Sequence, residues 1–215
     1  TTLKGAEIPV QMGGARTATT YTWSFGDGSA DVAGNIADGR VIEVSHTYQG
    51  AVGTPFTARL TLCDAQNQCS SANYPTVVRS DTLETRINIT IDKGLWYLYR
   101  QANEQTGQIR TTGSYPTHAS THAASINVFF AHGHRESIDR TVNPYTDTVR
   151  LGMRYLFTDI VQYGIANQTA GNPDSNGNGL ALSVTRRSHE TYENGMVMDA
   201  IITSGTPDAD ITTGP

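Results

Sequence analysis

The chain has 215 residues, room for one large domain or two small ones. Charged residues make up 16% of it and hydrophobic ones 37%, below the ~25% and ~45% usual in globular proteins, and 21 glycines with many threonines, serines and amides fill the difference. A net charge of −5 without a basic stripe argues against a nucleic-acid partner, whose phosphates require clustered Lys and Arg, and no apolar run approaches the ~18–20 residues needed to span a bilayer.

The chain opens on Thr1 rather than Met, and the expectation is a processed N-terminus or an excised segment. Up to about residue 80 the apolar positions follow the two-residue rhythm of half-buried strands. Examples are Tyr21-Thr22-Trp23-Ser24-Phe25, Val41-Ile42-Glu43-Val44 and Phe56-Thr57-Ala58-Arg59-Leu60-Thr61-Leu62. Gly26-Asp27-Gly28-Ser29 and the stretch from Gly50 to Pro55 supply turn chemistry between them. Short strands at this spacing predict a β-sandwich.

Three motifs occur in order: Trp23-Ser24-Phe25-Gly26-Asp27-Gly28, then His46-Thr47-Tyr48, then a strand running into Asp64. This stretch, about residues 20–80, resembles the polycystic kidney disease (PKD) repeat, an Ig-like sandwich of extracellular proteins. The resemblance implies a spacer or a protein- or carbohydrate-contact module. Trp23 and Phe25 share a strand face and are expected in the core. The glycines beside Asp27 permit positive φ while its carboxylate bonds turn amides. His46 and Tyr48 point to one side of their strand, and His46 is expected to be a packed, hydrogen-bonded histidine rather than a catalytic base. The first strand of such a repeat is short or missing here, although Ile8-Pro9-Val10-Gln11-Met12 can supply one. That leaves an open sheet edge, which invites another strand.

Asp64 to Gln68 reads as a hairpin turn that brings Cys63 and Cys69 across a strand pair. A disulfide there fits an oxidising compartment. Two unpaired thiols are the alternative, and metal binding by two cysteines this far apart is less favoured.

From about Leu83 the period changes to that of helices. The first takes in Ile87, Ile91, Leu95 and Leu98; a second runs from about Ala119 to Ala131. A third is expected to start at Asn143 as N-cap, with Pro144 in its first position and Asp147 in its first turn. A fourth covers about Thr191 to Ser204, with Met196, Val197, Ala200 and Ile201 as its apolar face. In Gly94-Leu95-Trp96-Tyr97-Leu98, Asn143-Pro144-Tyr145 and Tyr192-Glu193-Asn194-Gly195-Met196 this half is similar to the opening helices of an α/α-toroid, as in terpenoid cyclases and prenyltransferases. The cyclases' Asp-rich acid motif and Gln-Trp repeats are absent, so no catalytic residue carries over. The expected fold class is α+β multidomain, with a PKD-like sandwich over 1–80 and a mainly helical domain over 81–215, a partial toroid.

His118, His122, His132 and His134 could in principle bind zinc or copper, but His118-Ala119-Ser120-Thr121-His122 lacks the Glu of a metalloprotease helix, and His132 and His134 flank a glycine suited to a helix end. Structural histidines are expected. Asp174, Asn176 and Asn178, with Gly179 sixth, match the front of a calcium loop. The twelfth position is Thr185 instead of Glu, and a plain Asn/Gly turn is the better expectation. Glu190 and Glu193 form an ordinary carboxylate pair. Asn88 and Asn167 open glycosylation sequons.

These observations lead to the expectation of a non-enzymatic extracellular structural or binding protein, secreted or on the cell surface, with neither a resident metal nor another cofactor. Its expected partners are further copies of itself, a carbohydrate or a surface protein. Copies are expected to assemble into a filament by exchanging strands, with Thr1–Ile8 or Asp208–Thr213 as the donated segment. The alternative is a fragment of a larger secreted enzyme built on an α/α-toroid.

Overall fold

A computed structural model describes residues 2–5, 17–37, 41–110, 118–139, 143–166, 168–184 and 189–205. Along the chain come β1 (Thr2–Gly5), β2 (Thr20–Ser24), β3 (Val32–Asn35), β4 (Ile42–Ser45), β5 (Pro55–Cys63) and β6 (Cys69–Val77). Then follow α1 (Leu83–Gln101), α2 (Ala119–Ala131), α3 (Thr146–Thr158), β7 (Ile160–Gly164), β8 (Leu180–Val184) and α4 (Glu190–Thr203). The protein is thus mixed α and β, with strands first and helices predominating afterwards. It divides into one unit of Thr1–Trp96 with Ile138–Pro144 and another of Tyr97–Ser137 with Tyr145–Pro215. The division falls inside α1, whereas the sequence placed the change near residue 80.

In the first unit the alternation of β5 does what a half-buried strand must: Ala58, Leu60 and Leu62 lie on one face and are fully buried. The sheet order is β3-β2-β5-β6, antiparallel throughout, with Trp23 opposite Leu60. Trp23, Phe25, Leu60 and Leu62 share a core with Ile42 and Val44 of β4, which belongs to the second sheet, β1-β4. The Trp23 ring packs 5.1 Å from that of Tyr74.

The pairing of β1 corrects one expectation. Thr1–Ile8 was expected to be a strand donated to another copy; its Thr2–Gly5 runs antiparallel to β4 of the same chain, Thr2 opposite Ser45 and Gly5 opposite Ile42. β4 carries backbone donors and acceptors that need a ladder, and β1 satisfies them within its own chain. The expected strand at Ile8–Met12 and the segment Asp208–Thr213 lie outside the described residues.

The β5–β6 hairpin closes as the sequence predicts. Cys63 stands opposite Cys69 and the two are disulfide-bonded. Asp64, 5% exposed, accepts the amides of Gln66 and Gln68 at 3.0 and 2.9 Å. Asn67 takes the left-handed conformation, φ +58°, which Asn tolerates better than most residues. α1 then begins at Thr82, whose hydroxyl caps the Thr85 amide at 3.2 Å.

In the second unit α2 ends in a Schellman motif: the His134 amide donates to Phe129 O and the Gly133 amide to Phe130 O, with Gly133 at φ +80°. The expected helix from Pro144 is shorter than predicted. The Asn143 amide bonds Asp139 O, Asn143 is buried, and α3 starts at Thr146 with Asp147 in its first turn. Pro144 precedes the helix instead of opening it. β7 and β8 form a hairpin, Ile160 opposite Val184 and Gly164 opposite Leu180, in a region where the sequence analysis named a turn but no strand. Ile126, Phe129, Val149, Leu156 and Ala200 are wholly buried in this unit. Gly107, at φ +78°, lies so close to α3 that a Cβ there would stand 2.0 Å from Leu151 O.

Candidate functional site

The Gly26–Ser29 turn in the first unit is built around one carboxylate. Asp27 accepts the Ser29 amide at 3.1 Å, the Ser29 hydroxyl at 2.5 Å and His46 Nε2 at 2.7 Å. The Ser29 hydroxyl bond and then that from His46 hold the Asp27 carboxyl at about 2, well below its ordinary 3.8. Gly26 has φ +74°, and a Cβ there would meet Thr57 O at 2.2 Å. The His46 ring stacks on Phe25 with centroids 3.8 Å apart and meets Tyr48 edge-on at 4.7 Å, and Tyr48 stacks on Phe56 at 4.7 Å. The residues singled out as Trp23, Phe25, Gly26, Asp27, Gly28, His46 and Tyr48 therefore belong to one region, where they fix a turn and a core.

The histidines of the second unit go separate ways. His122 Nε2 donates to Gly152 O at 2.7 Å while its Nδ1 accepts the Ile109 amide at 3.2 Å. That pair of bonds fits the neutral ring with its proton on Nε2. Burial lowers the His122 pKa, opposed in part by the Gly152 carbonyl. His118, before α2, places Nδ1 2.6 Å from Glu193 Oε1 on α4, with side chains 9% and 1% exposed. The His189 ring centroid lies 5.6 Å from that of His118. His132 and His134 sit at the end of α2, His134 against Tyr145. Among the described residues no three His, Cys, Asp or Glu side chains gather as metal ligands do.

The sequence reading missed the His118–Glu193 pair because it treated Glu190 and Glu193 as an ordinary carboxylate pair. A signal was present: Glu193, Val197 and Ala200 fall at helical spacing and are the buried residues of α4, so Glu193 occupies an apolar stripe.

Asp174, Asn176 and Asn178 lie in the loop between β7 and β8. Asp174 Oδ2 accepts the Gly179 amide at 2.8 Å, Asn176 Oδ1 the Asn178 amide at 3.2 Å, and Asn178 Oδ1 the Leu180 amide at 2.8 Å. These are the bonds of an Asn/Gly-rich turn; Thr185, the twelfth position, lies outside the described residues. Of the sequons, Asn167 also lies outside them. Asn88 is exposed on α1, and the Thr90 hydroxyl of its sequon donates to Arg86 O at 2.8 Å.

Asn88 also lines a cleft of about 950 Å³ in the first unit. One wall comes from Tyr48, the end of β6 at Thr76 and Val77, and the following Arg79; the other is the α1 face that carries Thr85, Asn88 and Asp92. Burial raises the Tyr48 phenol pKa, a bond with Thr76 works the other way, and the Asp27 charge adds a smaller rise. The first turns of α1 present Glu84, Thr85, Asn88 and Asp92 to this space together with Ile89, while Leu83 and Ile87, absent from its lining, are 75% and 49% exposed. No protein-family model, curated protein or solved structure matches the chain. Among the described residues no helix is long and apolar enough to cross a membrane.

Proposed function

We propose that the protein is a non-enzymatic extracellular binding module, an Ig-like sandwich of the PKD kind joined to a helical domain of toroid-like helices, and that its binding surface is the cleft beside α1. The observation that carries this reading is the polar face of α1, turned across about 950 Å³ toward the rim of the β-sheet. Sites for small ligands are typically concave spaces of ~300–1,000 Å³ with a few placed polar groups. The Cys63–Cys69 disulfide supports an oxidising location. The conspicuous ionisable groups support binding over catalysis, since Asp27 and His46 hold a turn and His122 ties α2 to two backbone groups. Thr2–Gly5, within the segment Thr1–Ile8 expected to be exchanged, pairs with β4 of its own chain, which supports a binding module over a filament.

The test is surface labelling and fractionation of cells that produce the protein, together with retention of the purified chain on isolated cell envelopes. The expected result is an oxidised, externally accessible protein that the envelopes retain. A reduced, internal protein that envelopes do not retain overturns the proposal.

A further inference from the structure

The geometry points to a neutral oligosaccharide, a strand of hexose or N-acetylhexosamine units, as the ligand of the cleft beside α1. This inference rests on the binding-module reading above and gives it a ligand class.

Thr85, Asn88 and Asp92 are three and four residues apart, so they form one stripe of the helix. A helix that only covers a core turns its apolar stripe inward. Here the amide and carboxylate line the cleft and Leu83 stands 75% exposed. That arrangement makes sense when the space receives something polar.

The chemistry of the walls narrows the class. Arg79 can only donate, Glu84 and Asp92 as carboxylates only accept, and Asn88 does both. A sugar ring presents neighbouring hydroxyls that each donate and accept, and an amide next to a carboxylate satisfies such pairs. Val77 and Ile89 add apolar surface for the C–H faces of a pyranose. Two carboxylates against one guanidinium disfavour uronic or sulfated chains.

The edge chemistry disfavours a peptide. β6 is the edge strand of its sheet, and peptides join sheet edges through main-chain bonds. The Val78 amide donates to Thr54 O and Val78 O accepts the Gly53 amide, so the pair of main-chain groups of Val78 faces the neighbouring strand. In an antiparallel ladder such pairs alternate, which turns residues 75 and 77 outward. Residue 75 is proline, without an N–H to offer. The edge is therefore blunted beside the cleft, and recognition falls to side chains.

The experiment is titration calorimetry of the full chain with cellohexaose, chitohexaose and an oligogalacturonate of equal length. At least one neutral hexamer is expected to bind with a Kd below about 1 mM, a weak affinity in the usual arithmetic, and the oligogalacturonate at least tenfold more weakly. Asn88→Ala and Asp92→Ala, both at exposed positions, should each weaken binding about tenfold or more with an unchanged circular dichroism spectrum. Thr90→Ala removes the sequon while leaving the Asn88 side chain in place, and should not change binding. Failure of both neutral hexamers to bind, or binding by the N88A/D92A double variant at the wild-type level, overturns the inference. So does a peptide that competes for the same residues. If envelopes retain the double variant as well as the wild type, the binding-module reading stands and only the cleft assignment falls.

Discussion

Two histidines, one in each unit, show how differently the units use buried polarity. His46 stacks on Phe25 and gives its Nε2 to the Asp27 carboxylate, a side-chain pair at a turn near solvent. His122 bonds main-chain groups instead: it spans the Ile109 amide and the Gly152 carbonyl, 3% exposed. The first arrangement tolerates charge because water and a carboxylate are at hand. The second has one proton position that works. The strand unit is thus held by apolar nesting with polar groups at its rim, and the helical unit carries polar groups inside its packing, His118–Glu193 included.

The largest expected effect breaks the apolar side of that contrast. Trp23 is fully buried between Leu60 and Tyr74, and Trp23→Ala should destabilise the strand unit by about 4 kcal/mol, the scale for emptying a large aromatic site. Hydrogen exchange is expected to show lost protection in β2 and β5 with protection in α2 and α4 retained. Equal loss in both sets would mean that the units do not differ in the way described.

The complementary substitution is Glu193→Ala, expected to cost the helical unit about 3 kcal/mol because removing one member of a buried pair leaves the other uncompensated. Apolar replacement of both His118 and Glu193 at similar volume should recover most of that loss in thermal melts. If the double replacement is no better than E193A, the pair is not the source of the cost.

The same contrast explains what was legible in the sequence. Strand periodicity, the Gly26–Gly28 turn, the Asp64 turn and the cysteine pair are local patterns whose partners lie a few residues away, and the structure has each where its residues predict. The helices at Leu83 and Ala119 were equally local. The pairing of β1 escaped because its partner is about forty residues on, and Thr2-Leu3-Lys4-Gly5 carries no pattern that names Ile42. β7 and β8 escaped for a different reason: Ile160 follows α3 with only Asp159 between them, so no turn signal separates helix from strand. The third helix was begun too early because Asn143-Pro144 has the composition of a cap, whereas α3 starts at Thr146. His118 and His122, close in sequence, were drawn apart by partners at residues 109, 152 and 193, which spacing alone cannot reveal. The cleft depends on the direction in which α1 turns its polar stripe, and the apolar period by itself pointed the other way.

The smallest expected effect is also the one that separates the units most cleanly: acid should weaken them in two windows. His122 has a folded pKa lowered by burial, so the unfolded chain binds its proton first, near the ordinary ~6.5. Stability from the neutral ring is present above that value and is lost as pH falls below it toward the folded pKa. A proton added at Nδ1 would face the Ile109 N–H, turning an acceptor into a second donor. Asp27 follows the usual carboxylate course. Its folded pKa of about 2 lies below the ordinary 3.8, so its contribution is complete above about 4 and fades between there and about 2. Residue-resolved hydrogen exchange at pH 7, 5 and 3 should therefore show α2 and the Ile109 amide losing protection by pH 5, while β2 and β5 hold until below 4. His122→Gln is expected to remove the first window and leave the second; Asp27→Asn should do the reverse. A single transition shared by all these amides, unmoved by either substitution, would show that burial of the imidazole and bonding of the carboxylate do not set the acid response.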